Sequence, residues 1–115
     1  MDPRREHVRR LLQVEAYISD TRGQESTATP TVAQIIDISR MGVAFVSDHA
    51  MRTDEPYVLN FCFPGSAIRN ELTLSVVHSG EIGSHGRFRN GARFLAISEA
   101  CADRIVDYVT TAPVL

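Results

Sequence analysis

With 115 residues, the chain has material for one domain and one core, and hardly for two. Hydrophobic residues make up 43% and charged residues 23%, a balance that excludes a disordered chain. The net charge of −2 gives no overall attraction for a polyanion, and no apolar run is long enough for a membrane-spanning helix.

The amino terminus is charged where a secretory signal would be apolar, and Cys62 and Cys101 are far apart without metal-ligand spacing. Both cysteines read as buried free thiols in a reducing compartment, so a cytoplasmic protein without membrane insertion is expected. All 12 basic residues are arginine and none is lysine. Genome composition explains that bias as readily as any need for planar, bidentate recognition.

Residues 1–10 form a charged arm, with Arg4, Arg5, Arg9 and Arg10 against Asp2 and Glu6 and no hydrophobic periodicity; it is expected to be flexible. The domain proper is expected over residues 11–112. Leu11–Ile18 reads as a first strand, and the polar stretch Ser19–Pro30 as a loop. Thr31–Ile38 and Val43–Ser47 are a second and third strand around a tight turn. Tyr57, Leu59, Phe61 and Phe63 alternate with Val58, Asn60 and Cys62, a period-two signal that Pro64-Gly65 ends. A fifth strand over Ile68–Ser79 puts Leu72, Leu74 and Val76 on one face. The three glycines of residues 80–86 make a hairpin loop. Phe88–Leu95 is the sixth strand, with Phe88, Ala92 and Phe94 inward and Arg87, Arg89, Gly91 and Arg93 outward. The period then changes: Ile97, Cys101, Ile105 and Tyr108 have helical spacing, Ser98 is a fair cap, and a helix over about residues 97–110 ends before Pro113. Six short strands and one amphipathic helix predict a mainly β fold, a small six-stranded antiparallel barrel with a carboxy-terminal helix across an end or a side.

Two stretches carry chemistry. In Ile36–Val46, Asp37 and Ser39 stand at i and i+2 and share one side of an extended backbone, and Gly42 permits either a positive φ or a close approach to bare backbone. Asp, Ser and Gly are also ordinary turn residues, so a simple β-turn explains the trio by itself. In the arm, Arg5 and Arg9 are four apart; two guanidinium forks can grip phosphate, meet guanine O6 and N7, or lie on a purine, while a solvated basic tail accounts for them equally.

Taken together, Arg5-x-x-x-Arg9 followed 28 residues after Arg9 by Asp37-x-Ser39-x-x-Gly42 resembles the signature of the PilZ domain family, R-x-x-x-R and then D/N-x-S-x-x-G. Gly91-Ala92-Arg93-Phe94 is similar to that family's late G-x-x-F strand. The resemblance spans nearly the whole chain and implies the same six-stranded barrel with a terminal helix. It also implies binding of cyclic di-GMP, a bacterial second messenger with two phosphates and two guanines. Arg5 and Arg9 would meet phosphate and guanine edges, Asp37 would accept from guanine N1 and N2, Ser39 would add a short polar contact, and Gly42 would give clearance. Arg4, directly before the motif, stands where an arginine in this family favours an intercalated ligand dimer. Arg10 departs from the family's usual apolar residue and is expected to face water rather than phosphate; Gly91 is a further candidate contact. The implied role is a receptor or adaptor that changes conformation on binding and signals to an effector protein in motility, biofilm or polysaccharide control.

The four histidines lack the spacing of a metal site, and no nucleophile elbow or phosphate-cradling glycine loop is present, so neither a cofactor, a metal nor enzymatic activity is expected. Two other readings stand beside the receptor. One is a module of the same fold that docks to a protein without binding nucleotide. The other is a barrel for single-stranded nucleic acid, which needs aromatic platforms along a basic groove. With five phenylalanines, three tyrosines and no tryptophan, and with Phe61, Phe63, Phe88 and Phe94 assigned to the core, a nucleic acid polymer is not the expected partner.

Overall fold

The computed structural model describes residues 9–20 and 30–111. Arg4, Arg5 and the rest of the arm before Arg9, most of the Ser19–Pro30 loop, and Pro113 lie outside the described residues. Six strands and a helix follow in order: β1 (Arg10–Asp20), β2 (Thr31–Ile38), β3 (Gly42–Ser47), β4 (Pro56–Phe61), β5 (Asn70–Ile82), β6 (Arg87–Ile97) and α1 (Glu99–Thr111). They close into a barrel in the order β1-β2-β3-β6-β5-β4. The seam is the antiparallel pairing of β1 with β4, from Tyr17 opposite Asn60 to Asp20 opposite Tyr57. Closure gives each of the six strands a partner on both sides.

Because every neighbour in the ring is antiparallel, β1, β3 and β5 begin at the same end at which β2, β4 and β6 finish. The interior is filled by residues that alternate inward, among them Leu12, Ala16, Ile18, Ile35, Val43, Phe45, Leu59, Leu72, Leu74 and Val76. Helix α1 closes the common end. Cys101, Ile105 and Val109, four residues apart, form its buried stripe, and Ser98 Oγ caps it by accepting from the Cys101 amide at 3.1 Å. Tyr108 Oη donates to the Leu11 carbonyl at 2.7 Å, its ring stacks on Phe63 with centroids 4.9 Å apart, and Arg104 Nε donates to Asn70 Oδ1 at 2.7 Å. The helix is thus tied to the start of β1, the segment after β4 and the start of β5.

Several expected boundaries move. Arg10 belongs to β1 rather than to the arm. The loop expected over residues 80–86 shrinks to residues 83–86, since Gly80, Glu81 and Ile82 pair with Arg89, Phe88 and Arg87 as a hairpin. Positive φ at Gly83 (63°) and Gly86 (70°) permits so tight a return. Strand β4 stops at Phe61, so Cys62 is half-buried rather than core and Phe63 packs against the core from outside the strand. Phe88, expected inside, is half-buried and stands apart from the core cluster, because the β5–β6 ladder carries it beyond the barrel wall. The inward position between Phe88 and Ala92 is taken by Asn90, fully buried, whose Nδ2 donates to Ser47 Oγ at 2.9 Å and to the Phe45 carbonyl at 3.3 Å. Among the described residues no helix is long and apolar enough to cross a membrane.

Candidate ligand-binding face

Barrel closure brings the two motif-bearing stretches together. Arg9 leads into β1, Asp37 is the penultimate residue of β2, and Gly42 opens β3, all at the helix-capped end. In the sheet register Leu11, Asp37, Ala44 and Gly91 lie in one row across β1, β2, β3 and β6. Residues directly opposite in an antiparallel pair share a face. Leu11 is 52% exposed, so this row looks outward.

Asp37 owes its outward position to a bulge. The register shifts between Ile35 and Asp37, so Ile35 and Ile38, three apart, both point into the core and Asp37 stays outside. The carboxylate keeps 17% of its side-chain surface exposed and is gripped by two arginines. Arg9 Nη1 donates to Oδ1 at 2.6 Å; Arg89 Nη2, from β6, stands 3.8 Å from Oδ2.

Ser39 does not join Asp37 in one acceptor patch. It is 1% exposed, and its Oγ accepts from the amides of Met41 and Gly42 at 3.2 Å each while its own amide donates to the Gly42 carbonyl at 2.9 Å. These bonds form the turn between β2 and β3. Gly42 has no positive φ. Its missing side chain serves a close approach, since a Cβ would lie 2.1 Å from the Ala92 carbonyl oxygen of β6. The Ser39-x-x-Gly42 portion of the motif therefore builds the corner that presents Asp37.

Arg10 differs from expectation. It is paired with Ile38, which is 0% exposed, so it faces the opposite side of the sheet from Asp37. It is half-buried, and its Nε is shielded from solvent without a hydrogen-bond partner among the described residues. Gly91 faces outward as expected; a Cβ there would meet nothing within 4 Å, which leaves an open floor beside Ala44, flanked along β6 by the exposed Arg89 and Arg93. Arg89 is the residue that the sequence reading placed outward without a role. Its alternation was legible, but the β3–β6 pairing that brings it to Asp37 was not.

A PilZ domain family model matches residues 3–111. The chain belongs to the PilZ domain family. Solved structures agree on the fold. A Bacillus subtilis inhibitor of motility (MotI/DgrA) superposes with a TM-score of 0.76 at 15% identity over 95% of this chain, which spans about half (51%) of that protein. The PilZ domain of YcgR from Escherichia coli, solved with c-di-GMP, gives 0.67 at 11% identity, covering 94% of this chain and 90% of that one. The PilZ domain of CeSA from a cellulose-synthesising bacterium gives 0.61 at 12% identity, covering 89% and 94%. No curated protein matches this PilZ chain in sequence.

Proposed function

We propose that this PilZ domain is a receptor for cyclic di-GMP that passes the signal to an effector protein. The observation that carries the reading is the outward-facing, half-buried Asp37 carboxylate, held at 2.6 Å by an arginine of the R-x-x-x-R motif on the outer face of a PilZ barrel. A carboxylate offers two acceptors to the adjacent N1–H and N2–H donors of a guanine edge. Arg9, half exposed and outside any strand, is placed to leave Asp37 and take a phosphate, a charge-assisted exchange of one anion for another. Arg5 and Arg4 would act from the arm on the phosphates, and Arg4 favours an intercalated ligand dimer. Ser39 and Gly42 would contribute by shaping the corner beneath the ligand, and Gly91 by leaving room above β6.

The bound state of the E. coli neighbour supports the choice of ligand, and the motility and cellulose contexts of the neighbours support control of motility or polysaccharide synthesis. Contact of the arm with the ligand would reshape the surface around Leu11, whose carbonyl is also bonded to α1 through Tyr108. The test is isothermal titration of cyclic di-GMP into the wild type and into Arg5→Ala and Asp37→Ala variants shown to be folded. Saturable binding lost in both variants, and unaffected by excess oligonucleotide, is the expected result. No wild-type binding at about 1 mM ligand would leave a docking module on the same scaffold.

A further inference from the structure

The two oxygens of Asp37 go to different cations on different supports. Arg9, on Oδ1, precedes the first strand and is 52% exposed. Arg89, near Oδ2, sits inside β6 with its backbone laddered on both sides, opposite Val46 of β3 and Gly80 of β5. Strand β3 lies between β2 and β6, so the Arg89 side chain reaches Asp37 by passing over it. The outward residues of β3 beside that path are Val46, opposite Arg89, and Ala44, opposite Asp37, whose single methyl leaves room next to the carboxylate. Ala44 is only 6% exposed although it stands outside the core cluster, as expected of a residue covered from the outer face.

From this geometry we infer that Arg89 is a positioning residue that keeps a fixed cation on Asp37 while Arg9 exchanges to the ligand. The inference rests on the cyclic di-GMP reading. A ligand with two phosphates needs Arg9, and its arrival would otherwise leave Asp37 as a bare anion beside two more negative charges. Arg89, its backbone held by the barrel and its half-exposed guanidinium 3.8 Å from Oδ2, offsets that repulsion by charge, so that the carboxylate stays presented to guanine. Arg89 acts on the ligand through Asp37 and not by touching it.

This predicts a specific non-additivity. Cyclic di-GMP titrations would be run on the wild type, Arg89→Ala, Arg89→Lys, Asp37→Asn and the Arg89→Ala/Asp37→Asn double variant, each checked for folding by circular dichroism. The Asp37→Asn substitution keeps an acceptor without the charge, and the family signature accepts asparagine at that place. With Asp37 present, Arg89→Ala weakens binding about tenfold and Arg89→Lys, which keeps the charge, recovers much of the loss. In the Asp37→Asn background Arg89→Ala changes little, since no carboxylate remains to be neutralised. Wild-type binding with no loss in Arg89→Ala, or an equal loss in both backgrounds, overturns the positioning role; the second outcome assigns Arg89 a direct contact. Absence of binding by the wild type overturns the receptor reading itself, and this inference with it.

Discussion

A Cβ on residue 42 would lie 2.1 Å from the carbonyl oxygen of Ala92, closer than any real side chain comes to backbone. Gly42 and Ala92 therefore set how near β3 and β6 approach at the helix-capped end, and with it the distance that Arg89 spans to Asp37. Gly42→Ala must push the two strands apart and should cost about 1–3 kcal/mol in urea unfolding, the usual cost of overpacking. Gly91→Ala, with nothing within 4 Å and no positive φ, should stay within about 0.5 kcal/mol of wild type. The same substitution places a methyl on the open floor and should still weaken ligand binding.

Ser39 should behave as a structural residue first. Ser39→Ala leaves the buried Gly42 amide and the part-buried Met41 amide without the acceptor they share. A loss of about 1–3 kcal/mol is expected, read from the urea midpoint at unchanged slope. Any fall in ligand affinity should follow from the displaced corner.

The Arg9–Asp37 pair should matter for binding and hardly for folding. Arg9 is half exposed, so the pair contributes about 0.2–1 kcal/mol to stability. Arg9→Ala should accordingly leave the unfolding curve almost unmoved while reducing cyclic di-GMP affinity about tenfold. Wild-type affinity should fall as salt rises from about 0.05 to 0.5 M, where screening shortens to a few ångströms.

The two thiols should separate by reactivity. Burial raises the Cys101 pKa, with the nearby Arg104 charge pulling partly back, and Cys101 is 1% exposed. A thiol whose folded pKa is raised contributes its stabilisation fully below the unfolded value, about 8.5, and loses it as pH rises through the folded value. Wild-type stability should therefore fall more steeply at alkaline pH than that of Cys101→Ala. A disulfide reagent near neutral pH should label half-buried Cys62 readily and Cys101 only on unfolding.

The barrel was legible because its strands announce themselves locally. Tyr57, Leu59 and Phe61 alternate cleanly, and of the four residues read at helical spacing Cys101, Ile105 and Tyr108 lie on α1 while Ile97 ends β6. What alternation could not show was each departure from it. The bulge at Ile36 turns Asp37 outward, the ladder continues past Gly80 without an apolar pattern, and Asn90 is buried because Ser47 and a backbone carbonyl on the neighbouring strand satisfy its amide. The site was legible in its motif and illegible in its division of labour. Asp37 and Ser39 look alike as polar neighbours in the sequence, yet one is presented and the other is consumed by the turn. Arg89 enters only through β3–β6, a pairing between strands far apart in the chain.

The most direct test of the central claim is an amide NMR spectrum of the intact chain recorded with and without cyclic di-GMP. Perturbed resonances should cluster at Arg9–Leu11, Ile36–Ala44 and Arg87–Arg93, while the far wall around Glu15, Tyr17 and Asn60 stays silent. Saturation with no shifts at Asp37, Ala44 and Gly91, or shifts gathered on the β1–β4 wall instead, would contradict it.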